Sequence, residues 1–237
     1  MAFLPHQVRG VLLDLDDTLY DYPPCNDAGN RAAWELLVAR TGRSAEAVQE
    51  AFVRGREETH REFHGTAEEH SRLRYITKCL VHLKHLDEGG ALAHEAHELF
   101  WKHFMEAMRP RDGVMEFLKV LRARGVKIAI VSDLSTDIQV RKLAALGIQE
   151  LIDILVTSED AGREKPDPAP FLMALKRLSM TPEEVIMVGE DYAKDILGAE
   201  GVHITPIYFR NGRNADPLLG TLEVCSFKEL QNMVCGE

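Results

Sequence analysis

Several short stretches of the chain are apolar on both faces of an extended segment. They are Val11-Leu12-Leu13, Val126 to Val131, Ile152 to Val156 and Val185 to Val188, with Ile204 to Phe209 as a fifth. Runs this short without polar alternation mark strands buried inside a parallel sheet. Helical periodicity fills the gaps between them. Val114, Phe117, Leu118 and Leu121 share one face of a helix from about Gly113 to Arg124. A second helix runs from about Thr136 to Leu146, with Gly147 as its stop. A third opens at Asp167-Pro168, an N-cap followed by proline at the first helical position, and continues to about Leu178. Thr181-Pro182-Glu183-Glu184 has capping-box spacing. Alternating strands and helices predict an α/β fold, a doubly wound parallel sheet of Rossmann-like type with right-handed crossovers. A further short strand near Leu222–Cys225 and a terminal helix complete the pattern.

From about Tyr20 to Arg109 this alternation stops. Segments around Asp27–Arg40, Ser44–His64, Thr66–Leu83 and Ala91–Met108 read as amphipathic helices, punctuated by Gly42, Gly65 and Gly89-Gly90. The expected organisation is a core formed by residues 1–19 and 110–237, with residues 20–109 inserted as a helical cap over the sheet.

Composition changes this picture little. The chain has 237 residues, 45% hydrophobic, which is enough to bury a core without disulfides. Cys25, Cys79, Cys225 and Cys235 show no CxxC spacing and read as reduced thiols. No apolar run reaches the roughly 18 residues of a membrane helix, and MAFLPHQVRG lacks a signal-peptide pattern, so the expected location is the cytoplasm. A net charge of -10 argues against a nucleic-acid partner, since phosphate backbones attract cationic surfaces. An anionic enzyme still binds an anionic substrate where a metal and a few cations are focused in one cleft.

Ligands of open α/β sheets bind beyond the carboxyl ends of the strands. The first strand ends in Asp14-Leu15-Asp16-Asp17-Thr18, and the second in Ser132-Asp133. The loop after the third carries Glu164-Lys165-Pro166-Asp167. The fourth ends in Gly189-Glu190-Asp191, with Asp195 one turn on. On an extended segment Asp14 and Asp16 point to one side and repel each other unless a cation intervenes. A hard divalent cation with oxygen ligands suits this acidic edge, and Mg²⁺ is the usual choice beside phosphate.

These four segments, in this order and strand context, resemble the four motifs of the haloacid dehalogenase superfamily. The resemblance implies a phosphatase of its helical-cap branch acting on a small phosphorylated metabolite; from the charge and hydropathy above no nucleic-acid or membrane partner is expected, and the expected state is a monomer or homodimer. It implies Asp14 as nucleophile, forming an aspartyl-phosphate. Asp16, kept protonated, would donate to the leaving oxygen and then take a proton from the hydrolytic water. The Ser132 hydroxyl would hold phosphoryl oxygens and Lys165 would neutralise their charge. Mg²⁺ would bind Asp14, the Asp16 carbonyl and Asp191, with Glu190 as the alternative ligand, while Asp195 orients the shell. Thr18 either touches substrate or caps the turn and orients Asp16. Two departures stand out. Asp133 replaces a common asparagine and brings an extra negative charge, and Gly189-Glu190-Asp191 stands where Gly-Asp is usual.

Three rivals remain. Haloacid dehalogenation is disfavoured because that branch replaces the second aspartate. A phosphomutase would use the same residues, and a catalytically silent phosphate-binding module would be expected to lose at least one. In the predicted cap, Arg72-Leu73-Arg74-Tyr75 offers polar groups for a leaving group, or a solvated face with Leu73 and Ile76 in the cap core. Eight of the ten histidines lie between His60 and His103. His82 with His85, and His94 with His97, are spaced to share a helical face, with Asp87-Glu88 following the first pair.

Overall fold

The computed structural model describes residues 8–85, 90–210 and 220–236. Gly89, Asp87 and Glu88, which the sequence reading singled out, fall outside these. The chain divides into two compact units, one of Met1–Asp21 with Arg109–Glu237 and the other of Tyr22–Met108.

The first unit is built on six strands: β1 (Gly10–Leu13), β2 (Lys127–Ser132), β3 (Ile154–Thr157), β4 (Val185–Gly189), β5 (Thr205–Phe209) and β6 (Leu222–Val224). All pair in parallel, in the order β3-β2-β1-β4-β5-β6. The chain steps outward from β1 through β2 to β3, then crosses back to β4 on the other side of β1. The reversal leaves a crevice beyond the carboxyl ends of β1 and β4, the switch point at which such sheets bind ligands. Register there is fixed by Leu13 opposite Val188 and by the Asp14 amide bonding the Val188 carbonyl at 2.9 Å.

Helices cover both faces. α5 (Val114–Ala123) and α10 (Phe227–Cys235) lie together on one side, where Phe227 packs between Phe117 and Phe209. α8 (Pro168–Leu178) and the short α9 (Leu197–Glu200) follow α6 (Thr136–Leu146) and the four-residue α7 (Ser158–Ala161). Phe171, Ala174 and Leu175 of α8 pack with Leu12, Val131, Val156, Val185 and Met187. The alternate strand residues Val11, Leu13, Ile130, Ile186 and Val188, which face the other way, are fully buried too, as the unbroken apolar runs predicted, and each buried side chain contributes ~1.5–3 kcal/mol. Asp167 caps α8 through the Ala169 amide at 2.9 Å, and Gly147 ends α6 at φ 69°, both at the positions the sequence marked.

The second unit contains α1 (Tyr22–Thr41), α2 (Ala45–Glu62), α3 (Arg72–His82) and α4 (Ala91–Ala107). α1 packs on α4, and α2 on α3. Glycines mark both crossings. A Cβ on Gly29 would lie 2.9 Å from the Phe100 carbonyl, and one on Gly55 would lie 2.7 Å from that of Tyr75. The single helix expected over Thr66–Leu83 is instead a 3-10 turn (Ala67–His70) followed by α3, with Ser71 at ψ 107° between them.

The Arg72–Tyr75 segment is largely internal to this unit. Tyr75 is buried, donates to the Glu69 carbonyl at 2.7 Å, and has its hydroxyl pushed up to about 12 by burial. Arg72 lies over the rings of Tyr75 and Phe100 and donates to Tyr22 and Asn26. Arg74 pairs with Glu68 and lies over Phe63. Leu73, expected in the core with Ile76, is 39% exposed, while Ile76 is fully buried.

Candidate active site

β1 stops at Leu13, so Asp14 leaves the sheet with its side chain buried. The chain then turns sharply, with Asp17 in the left-handed region at φ 61°. Arg111 holds this turn by donating to the Asp17 carbonyl at 3.0 Å and its carboxylate at 3.2 Å. The turn brings the Thr18 hydroxyl back onto Asp14 Oδ2 at 2.8 Å. Thr18 therefore contacts Asp14, where one reading of the sequence paired it with Asp16.

Lys165 reaches in from the loop after β3. Its Nζ lies 2.7 Å from Asp14 Oδ1 and 2.6 Å from Asp195 Oδ1, and all three side chains are buried. Burial opposes the lysine's charge, but Asp14, Asp195 and Asp133 outweigh it and hold the ammonium protonated well above its ordinary range. Burial pushes the Asp14 carboxyl up to about 7, against the pull of Lys165. It raises Asp195 as well. Asp195 is tucked beneath the end of β4, where Oδ2 accepts from the Asp191 amide at 3.0 Å. Only glycine at 189 leaves room for it, since a Cβ there would lie 2.2 Å from Asp195 Oδ2. Residues Tyr192–Ile196 form a single π-helical turn, a form that recurs at functional sites.

Asp16 departs from expectation. The alternation that would place it beside Asp14 ends with the strand, and its carboxylate turns instead to α6. Lys142 Nζ approaches both oxygens, at 2.5 and 2.8 Å. Gln139 Nε2 donates to Oδ2 at 3.1 Å, and the Tyr20 hydroxyl donates to Oδ1. Burial works to raise this carboxyl, but Lys142, Tyr20 and Gln139 together hold it below its ordinary value. The structure thus gives Asp16 a lysine partner that the sequence reading did not anticipate. Ser132, at the end of β2, is buried and bonded to Gln139 at 2.6 Å.

Asp133 does not add a free negative charge. Its Oδ1 accepts from the Lys165 amide at 3.0 Å, and its Oδ2 pairs with Lys194 at 2.9 Å. Lys194 also meets Glu164 at 3.1 Å, and these two carboxylates hold its ammonium well above the usual range despite burial.

Glu190 and Asp191 lie half-buried at the end of β4, the strand next to Asp14, and the Asp191 carboxylate accepts from the Lys194 amide at 3.0 Å. The donor chemistry at this edge fits Mg²⁺. It consists of oxygens, and Asp14 is a buried carboxylate that burial and its acidic neighbours destabilise. Asp14, the Asp16 carbonyl and Asp191 or Glu190 would hold the ion, with water completing its shell. Among the described residues, only His94, His97 and Glu98 form a trio of His, Cys, Asp or Glu with ligand atoms all within 4.8 Å of one another. There His97 is already engaged, accepting from Trp101 Nε1 at 3.0 Å and facing Glu98 at 3.3 Å.

Comparison with known proteins shows the family. Residues 8–203 match the family model described as haloacid dehalogenase-like hydrolase. A ribulose-1,5-bisphosphate 5-phosphatase of Halopiger xanaduensis is 38% identical over 87% of this chain and 86% of its own. A phosphoserine phosphatase of Thermus thermophilus is 33% identical over 87% and 91%. A 2-haloacid dehalogenase structure from Pseudomonas syringae superposes with a TM-score of 0.77 at 24% identity, over 97% and 99% of the chains, and shows the shared fold. No helix among the described residues is long and apolar enough to cross a membrane. The chain belongs to the haloacid dehalogenase-like hydrolase family.

Proposed function

We propose that this chain is a cytoplasmic, Mg²⁺-dependent phosphatase of small soluble phosphate monoesters, working through an aspartyl-phosphate at Asp14. It is a phosphoric monoester hydrolase of its family. The observation that carries the reading is the buried Asp14–Lys165–Asp195 array at the switch point of the sheet. An array of this kind suits phosphoryl transfer, which depends mainly on positioning and charge stabilisation.

Asp14 attacks phosphorus in line with the departing oxygen, and the ester P–O bond breaks as the Asp14 O–P bond forms. Thr18 and Lys165 hold the Asp14 carboxylate in place for this step. Lys165 also offsets the negative charge on the phosphoryl oxygens, and the Ser132 hydroxyl supplies a donor to them. Bound Mg²⁺ supplies charge neutralisation between Asp14 and the phosphoryl group. Asp16 takes a proton from the hydrolytic water as a carboxylate and, once it carries that proton, can give it to the next leaving alkoxide.

The two relatives described above act, by name, on the 5-phosphate of a sugar bisphosphate and on phosphoserine. Both phosphates sit on primary alcohol carbons, so a primary alkyl phosphate is the substrate class we infer. The division of labour proposed is catalysis in the sheet unit and substrate selection in the helical unit, acting as its cap. The test is hydrolysis of p-nitrophenyl phosphate with Mg²⁺ and with EDTA, beside Asp14→Asn. Metal-dependent turnover lost in the variant supports the reading. Turnover indifferent to both EDTA and the variant contradicts it, and absent turnover would favour a mutase or a silent module.

A further inference from the structure

α6 connects β2 to β3, and two of its polar side chains are among the most buried in the unit: Gln139 at 0% exposure and Lys142 at 1%. Three residues apart, they share one face of the helix. Burying a lysine is costly unless it is paired. Lys142 meets both oxygens of Asp16, the group assigned the proton transfers.

Gln139 ties the same group to a second element. Its Nε2 lies 3.1 Å from Asp16 Oδ2, 2.6 Å from Ser132 Oγ and 3.0 Å from the Asp133 carbonyl. Two of these partners, the carboxylate and the carbonyl, only accept, so the NH₂ end of the amide must face them. Its Oε1 is buried and has no partner among the described residues. Leaving a buried acceptor unpaired costs about 1–3 kcal/mol, so the orientation is held against a penalty. Both residues are therefore spent on the placement of Asp16 and Ser132.

We propose that Gln139 and Lys142 are positioning residues that clamp the Asp16 carboxylate, and tie it to Ser132, for hydrolysis of the aspartyl-phosphate. This rests on the phosphatase reading above. In that step the oxygen of water attacks phosphorus and the bond between phosphorus and the Asp14 oxygen breaks. The electron pair returns to the Asp14 carboxylate, the water proton passes to Asp16, and inorganic phosphate leaves. Asp16 has to be held in one place to accept that proton, and the contacts from Gln139 and Lys142 hold it there. The first step does not need Asp16 when the leaving group is p-nitrophenolate, which departs without a proton. The clamp's contribution is thereby separable from that of the phosphate-binding groups.

The test is pre-steady-state hydrolysis of p-nitrophenyl phosphate with Mg²⁺ by the wild type and by Lys142→Met. The variant is expected to release a burst of nitrophenolate close to one equivalent per site. Its kcat should then fall by about 100-fold, the scale of a positioned acid or base, with kcat/KM changed only a few-fold. Gln139→Leu, which disturbs no charge, should show the same split to a smaller extent, and it carries the test if Lys142→Met does not fold. A parallel loss of kcat and kcat/KM, or no loss in either, overturns the clamp while leaving the phosphatase reading intact. A wild type without turnover overturns that reading and the clamp with it.

Discussion

Replacing Lys165 by methionine keeps the length of the side chain and removes the cation between Asp14 and Asp195. Both carboxylates are buried, with side chains 9% and 1% exposed, so water cannot take the lysine's place. Breaking a buried ion pair by removing one partner costs about 3–5 kcal/mol, and here two anions lose the same partner. The loss should depend on pH with a definite sign. The Asp14 carboxyl is raised from 3.8 to about 7 by burial. A group raised in this way favours the folded state fully below 3.8, and that contribution is lost as pH climbs through about 7. Lys165 pulls the Asp14 value down, so its removal raises Asp14 further and extends the decline to higher pH. Lys165→Met is therefore least destabilised near pH 4–5 and most destabilised near pH 8. Urea unfolding followed by circular dichroism at both pH values measures this difference. An equal loss at pH 5 and pH 8, or a loss below about 1 kcal/mol at both, would refute the reasoning.

Other consequences follow from particular contacts. Gly189→Ala forces Asp195 out of its seat beneath β4; overpacking of this kind costs about 1–3 kcal/mol, and phosphatase activity should fall with it, whereas unchanged kcat and unfolding midpoint would contradict the tight fit. Mg²⁺ should raise the melting temperature more at pH 8 than at pH 5, because protons compete for Asp14 below about 7, and Asp14→Asn should abolish the difference. Tyr75→Phe should cost about 1 kcal/mol from its lost hydrogen bond to the Glu69 carbonyl and leave kcat unchanged; a fall in kcat would place Tyr75 in the chemistry. Asp133→Asn keeps an acceptor for the Lys165 amide and should leave the order of preferred substrates as it is in the wild type, which a panel of small phosphate esters would show.

The strand ends were legible because the sheet's own architecture tells where to look. Short apolar runs located β1, β2, β3 and β4, and the residues after them are Asp14, Ser132, Lys165 and Asp191. Asp16 was located but misread. A period of two was extended past Leu13, where the strand gives way to a turn, so the carboxyl was expected beside Asp14 and its partner Lys142 was missed. Gln139 and Lys142 escaped notice because both are ordinary residues on an amphipathic helix. The available signal was positional. Residues 139, 142, 143 and 146 form one stripe at helical spacing, and Leu143 and Leu146 are buried on it. Two polar residues on the buried stripe of a crossover helix are a mark of internal partners. The departure at Asp133 had its explanation in Lys194, distant in sequence and placed by the π turn, and nothing in the linear pattern joins the two.

The central claim is that Asp14 takes the phosphoryl group. Rapid quenching during turnover of p-nitrophenyl phosphate with Mg²⁺, followed by borohydride reduction and peptide mass spectrometry, tests it directly, since reduction converts an aspartyl-phosphate to homoserine. Homoserine at position 14 and at no other aspartate is the predicted result. Turnover without homoserine at position 14, or with homoserine elsewhere, would contradict the account.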